Sequence, residues 1–169
     1  DLVPAQTTVL IDVESPDQLP AAVAHVQEFI AAGLDCVEQG AREIVEVPVR
    51  YDGLDLSDVA ELLSMTTDEL VKRHSDQQWT VEFAGFMPGF GYMSGADWPY
   101  RIQRRDSPRT RIPPGSIALA DGFTGVYPQA SPGGWQIIGT TDAILWDETA
   151  DPPALLLPGA VIRFEVVDS

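Results

Sequence analysis

Two stretches of this sequence concentrate side chains that could do chemistry. Residues 101–111 (RIQRRDSPRTR) hold five of the nine arginines and one aspartate, a local charge of +4 in a chain whose net charge is −16. A guanidinium fork binds carboxylate, phosphate or carbamate oxygens in a two-pronged fashion. A cluster this dense in a Gly/Pro-rich region points to recognition of an anion or a partner. The competing reading is that these arginines neutralise the protein's own acidic surface. In the second stretch, Gly85–Tyr100, Phe86, Phe90, Tyr92, Trp98 and Tyr100 crowd a loop rich in glycine. Such aromatics line a groove or seal the end of a barrel, and sealing is the expectation. His74 precedes this region. It could carry a proton near neutral pH or sit at a helix C-terminus favoured by the macrodipole. Ser116, within Pro113-Pro114-Gly115-Ser116, reads as a turn or strand-start serine, since no G-x-S-x-G elbow surrounds it.

Other chemistries are excluded by what the chain lacks. Gly89-x-Gly91 has Ser94 where a dinucleotide loop needs its third glycine, and no βαβ unit surrounds it. Nothing matches G-x-x-x-x-G-K-[ST], and Lys72, the sole lysine, follows no glycine loop, so a self-contained P-loop nucleotide site is ruled out. With 26 Asp+Glu against 10 Lys+Arg, the chain repels a phosphate backbone and is no general nucleic-acid binder. Cys36 alone precludes an internal disulfide, and His25 and His74 are too few for a structural zinc site, so no metal is expected. The 169 residues, 44% hydrophobic and without a membrane-length apolar run, suit a soluble globular protein of one ordinary domain or two small ones. The absence of a basic–apolar leader makes the cytoplasm the default location. The lack of asparagine and the dominance of arginine over lysine reflect a G+C-rich genome rather than salt adaptation. A start at Asp1 rather than Met reads as a fragment or a processed chain.

These residues must be positioned by the elements around them. Thr7–Val13 is β-branched and apolar, which predicts a strand. Ser15-Pro16-Asp17-Gln18 reads as a capping box before a helix carrying Leu19, Val23, Val26 and Ile30, ended by Gly33, with Pro20 at odds with a start at Pro16. Ile44–Tyr51 predicts a strand whose Pro48 marks an edge or bulge. Helices follow at Ser57–Leu63 and Thr67–His74, the second opened by a Thr66/Glu69 capping box. Trp79–Phe86 alternates with strand period. Beyond it, ten of the 14 glycines and seven of the 14 prolines fall between Gly85 and Gly139. Short apolar runs alternate with these turns at Ser116–Ala120, Phe123–Tyr127, Trp135–Ile138, Ala143–Trp146 and Val161–Val167. That spacing indicates a mainly β fold, a barrel or sandwich.

Gly85-Phe86-Met87-Pro88-Gly89-Phe90-Gly91-Tyr92, Arg104-Arg105, Pro108-Arg109, Pro114-Gly115-Ser116, Val126-Tyr127-Pro128 and Ser131-Pro132-Gly133-Gly134-Trp135 together resemble the KipI / allophanate hydrolase subunit 1 family. The resemblance runs from about Val3 to Phe164. It implies a small, apparently truncated α/β domain over residues 1–78, lacking its first strand–helix portion, then a cyclophilin-like β-barrel over 79–169. It implies a non-autonomous subunit of an ATP-dependent amide-hydrolysing complex, with 5-oxoproline as substrate and the second subunit of the KipA / allophanate hydrolase subunit 2 family as partner. ATP would be a co-substrate of the assembled complex. Allophanate hydrolysis in urea degradation, or inhibition of a histidine kinase by a pure binding protein, are the alternatives. The small anionic substrate would meet Phe86, Pro88, Phe90, Tyr92, Arg104, Arg105, Arg109, Arg111, Ser116, Tyr127, Ser131, Gly133, Gly134 and Trp135, with His74 catalytic. These segments are expected to converge on one mouth of the barrel, and exposed aromatics of Gly85–Tyr100 to form the subunit interface. The chain departs from the family at Pro114 (usually alanine), Thr140 (commonly arginine) and Ala160 (usually aspartate).

Overall fold

The computed structural model describes residues 1–5, 7–32 and 44–167; Gly33 and Cys36 lie outside them. Contacts divide the chain into Asp1–Arg42 and Glu43–Ser169, so the boundary expected near Trp79 is displaced toward the N-terminus. The cause is strand pairing. Ile44–Val49 lies parallel along Val161–Val166, from Ile44 opposite Val161 to Val49 opposite Val166, which ties the segment before Trp79 to the far end of the chain. The compositional shift marks where turns become dense, not where contacts cease.

In the first unit, β1 (Leu2–Pro4) and β2 (Val9–Ile11) form an antiparallel two-stranded sheet of their own. A 3-10 turn at Pro16–Gln18 leads into α1 (Leu19–Ala31). The capping box at Ser15–Gln18 does not form: Ser15 makes no cap bond, and Gln18 Oε1 accepts instead from the Glu14 N–H at 3.1 Å. Pro20 falls in the first turn of α1, where a backbone N–H has no intrahelical partner to lose. No residue of α1 is buried, and Leu19, Val23, Phe29 and Ile30 are exposed.

The second unit runs through β3 (Ile44–Val49), α2 (Leu56–Leu62), α3 (Thr67–Asp76), β4 (Trp79–Ala84), β5 (Gly91–Gly95), β6 (Arg109–Ile112), β7 (Ser116–Ala120), β8 (Phe123–Val126), β9 (Ser131–Gly133), β10 (Gln136–Thr140) and β11 (Val161–Val166). Seven strands pair in the order β10-β7-β8-β5-β4-β11-β3. The two ends meet where Arg50 N–H donates to the Thr140 carbonyl at 2.9 Å and Thr140 N–H to the Arg50 carbonyl at 2.8 Å, closing the sheet into a barrel. Pro48 is exposed at the end of this order, where its missing N–H is tolerated. Ala143–Trp146 does not become a strand; a single bridge joins Trp146 to Ala154. Pro152 and Pro153, beside that bridge, have no N–H with which to extend a ladder.

β7 is buried at every position. Ile117 and Leu119 face one core cluster, with Trp79, Met93 and Phe164, while Ala118 and Ala120 face another, with Phe90, Tyr127 and Trp135. Alternation across a strand buried on both faces creates these two cores. The first also takes Val59 and Ala60 from α2 and Leu70 from α3. The second includes Ile112 of β6, which pairs with β9 in a separate ribbon. α3 opens with the expected capping box: Glu69 N–H donates to Thr66 Oγ1 at 3.2 Å and Thr66 N–H to Glu69 Oε2 at 2.8 Å. Thr66→Ala should cost about 1 kcal/mol, read as a lower denaturant midpoint with an unchanged slope; an unaltered midpoint would contradict a stabilising cap.

Candidate functional site

The arginine loop is organised by a residue that the sequence did not single out. Asp55, whose side chain is 2% exposed, accepts from Arg109 Nη1 at 2.9 Å and Nη2 at 2.7 Å, from Arg105 Nη1 at 2.8 Å, and from the Ile137 N–H at 2.6 Å. The Asp55 N–H donates in turn to the Ile137 carbonyl at 2.8 Å. Asp55 stands at the N-cap position of α2 but makes no cap bond, because its carboxylate is turned onto the arginines. Its local setting, Leu54-Asp55-Leu56-Ser57, reads as an ordinary helix start. Nothing there signals partners 50 and 54 residues away.

Self-neutralisation therefore accounts for part of the cluster. Arg109, expected to meet a ligand, is bidentate on Asp55 and only 20% exposed. Arg105 shares the same carboxylate while its Nε is buried without a partner. Arg104 is different: exposed, 3.5 Å from Asp121, with its guanidinium carbon 5.9 Å from the Trp135 ring centre. Arg111 is exposed on β6. Gln103, Arg104, Arg105, Ser107 and Gln136 border a pocket of about 410 Å³ that also meets Asp58 and Asp106.

The ribbon and the Gly85–Tyr92 loop meet on the second core. Phe90 is buried, with ring centres 5.5 Å from Phe86, 5.0 Å from Tyr92, 5.3 Å from Tyr127 and 5.5 Å from Trp135. A Cβ on Gly133 would come within 2.6 Å of the Tyr127 hydroxyl, so glycine is what lets β9 lie on the ring. Gly134 accepts from the Arg105 N–H at 2.7 Å and ties this turn to the arginine loop. The Ser131 hydroxyl is buried and unpartnered. Desolvation pushes the Tyr127 phenol up to about 12 and raises Tyr92 as well. Phe90 and Trp98 are buried, Tyr92 and Tyr100 half-buried, so the aromatics mainly seal. Phe86 is the exception at 59% exposed, and Pro88 beside it is exposed too. Phe86 also takes φ +68°, a left-handed conformation costing a bulky residue about 1–2 kcal/mol.

Two expected residues have other roles. Ser116 is buried at the start of β7 and donates to the Pro113 carbonyl at 2.9 Å, the structural role its setting suggested. His74 is fully buried among Trp79, Trp98 and Phe164 of the first core. It does not join the aromatic and arginine groups on the second. Thr124 Oγ1 donates to the Ala118 carbonyl at 3.4 Å and accepts from His74 Nε2 at 3.0 Å, leaving Nδ1 to accept from the Tyr51 hydroxyl at 2.7 Å. Burial pushes His74 down to about 3. A neutral imidazole held on both nitrogens does not shuttle protons near pH 7, so the proton-carrier reading is corrected. Its partners Tyr51 and Thr124 had no sequence signal. Among the described residues, no three His, Cys, Asp or Glu side chains group closely enough to hold a metal ion, and no helix is long and apolar enough to cross a membrane.

Residues 1–156 match the family described as carboxyltransferase domain, subdomain C and D. The chain belongs to this family. It is 34% identical, over 97% of its length, to the B subunit of 5-oxoprolinase from Escherichia coli O157:H7, covering 76% of that protein. It is 41% identical over 72% of its length to the B subunit of 5-oxoprolinase from Haemophilus influenzae, of which it covers 59%. The crystal structure of TTHA0988 matches the whole chain with a TM-score of 0.81 and 32% identity, while the chain covers 33% of it. The KipI-like resemblance read from the motifs is the family that these 5-oxoprolinase relatives define, and the barrel is its fold.

Proposed function

We propose that this carboxyltransferase-family chain is part of a 5-oxoprolinase subunit. In the assembled complex it would help convert 5-oxo-L-proline, ATP and two waters into L-glutamate, ADP and phosphate. The observation that carries the reading is Arg104 layered at 5.9 Å over buried Trp135, near the aromatic loop that presents Phe86. A fixed cation above an apolar floor suits a small ring bearing one carboxylate. The names of its relatives support the reaction class. An unstrained lactam is stable in water, which gives ATP its chemical role: phosphorylating the amide oxygen makes that oxygen a leaving group. Water then adds at the same carbon, the C–N bond breaks as the amine takes a proton, and a second water hydrolyses the resulting acyl phosphate to the carboxylate and free phosphate. A guanidinium beside the tetrahedral intermediate would stabilise its developing anion. The sequence has no phosphate loop, so in this reading the nucleotide is held by the partner subunit, and Phe86 contributes to that interface.

The test is reconstitution. The full-length protein and its second subunit, purified separately and mixed, should hydrolyse 5-oxoproline only in the presence of ATP, and neither should do so alone. Turnover by the isolated protein at the rate of the complex would defeat the subunit reading. A complex that spares 5-oxoproline but hydrolyses allophanate would defeat the substrate assignment.

A further inference from the structure

We propose that Asp55 is a positioning residue of the anion site, a role that rests on the reading above. Its carboxylate gathers what the site needs from separate parts of the chain. Arg109 comes from β6 and Arg105 from the loop before it, while the Ile137 N–H belongs to β10. Two guanidiniums on one carboxylate leave an excess of one positive charge, and Arg105 keeps a buried Nε without a partner. Arg104, next in the chain, has no such anchor on Asp55; it has only an exposed contact with Asp121 at 3.5 Å and stands over Trp135. Arg105 itself is pinned at both ends, by its side chain to Asp55 and by its backbone N–H to the Gly134 carbonyl. Arg104 is thereby held beside the Gly134-Trp135 turn. In this arrangement Asp55 does not touch the substrate. It sets the place of the arginine loop, so that Arg104, whose neighbouring carboxylate Asp121 is itself exposed, meets a substrate carboxylate without first having to be ordered.

A purely structural Asp55 would predict something different, and two readouts separate the cases. The first is direct binding to the full-length protein, followed by the fluorescence of Trp135 beneath Arg104. The ligands are 5-oxoproline and the neutral lactam 2-pyrrolidinone, at fixed ionic strength. The wild type should give a saturable change with 5-oxoproline and none with 2-pyrrolidinone, and Trp135→Phe should abolish the signal. Asp55→Asn, which keeps size but loses charge, should weaken binding by about tenfold or more, and Arg104→Ala comparably. The double variant should be little weaker than either single one, because both act through one guanidinium. The second readout is the reconstituted complex, where Asp55→Asn should raise KM for 5-oxoproline by a similar factor with kcat changed less than about threefold.

Loss of kcat in proportion to the unfolded fraction, with KM and ligand affinity unchanged, would overturn the proposal. So would a wild type showing no saturable 5-oxoproline signal. If 5-oxoproline binds with the expected Asp55 dependence while the complex hydrolyses no lactam, the proposed reaction fails and the positioning role stands. Should Asp55→Asn be unfolded at the assay temperature, Arg109→Lys keeps the charge and removes the two-pronged geometry. It should then give the same loss of affinity, and wild-type affinity in that variant would also overturn the proposal.

Discussion

Replacing His74 by alanine is expected to destabilise the protein by about 3–5 kcal/mol, the range for emptying a large buried site. The Tyr51 and Thr124 hydroxyls left without their ring partner place the effect toward the upper end. The same residue governs acid sensitivity. In the unfolded chain an imidazole titrates near its ordinary value, about 6.5, whereas in the fold burial holds His74 down to about 3. Between those values the unfolded chain takes up a proton that the folded chain refuses. This contribution is whole above about pH 6.5 and is lost as the pH falls toward 3, at about 1.4 kcal/mol per pH unit. His74→Gln lacks that titration. Denaturant unfolding at several pH values should therefore show the wild-type advantage over His74→Gln shrinking through this window, while the carboxylates common to both cancel. Parallel stability curves for the two proteins would show that His74 is not the acid-sensitive group.

Arg109→Ala should be the other costly substitution, at about 3 kcal/mol, because it strips two hydrogen bonds from a buried carboxylate. Arg105 and the Ile137 N–H remain on Asp55 and keep the loss from being larger. Arg111→Ala, two residues away but exposed, should stay within about 0.5 kcal/mol of the wild type. The sequence treats these arginines as equivalent ligands for an anion. Thermal unfolding of both variants separates them, and equal melting temperatures would contradict the division of labour drawn from Asp55.

Much of the fold was legible before any coordinates. The Thr66/Glu69 capping box, the strand alternation from Trp79 and the barrel pattern of short strands between Gly/Pro turns all depend on neighbours a few residues apart. Local geometry is what a one-dimensional pattern records. The motif resemblance placed Phe86, Phe90, Tyr127, Gly133 and Trp135 in one family signature, and these residues do meet on one core. The misreadings share a cause. Ala143–Trp146 has strand composition, but its partner segment carries Pro152 and Pro153. The division at residue 79 was what the motif resemblance implied, whereas β3 pairs with β11 from the other end of the chain.

The residues that decide the candidate site divide along the same line. The sequence by itself determined that a dense, partly apolar arginine loop exists in an acidic chain and that glycines flank it, because charge and backbone freedom are properties of residues one at a time. Only the tertiary structure decided which arginine is available. A buried carboxylate must be paired, and Asp55, brought from the start of α2, claims Arg109 and Arg105 and leaves Arg104 over Trp135. In the same way, the sequence supplied one histidine near the motif, and the fold chose its role. Packing against Trp79, Trp98 and Phe164 removed the water that a charged imidazole needs, so His74 became part of the core.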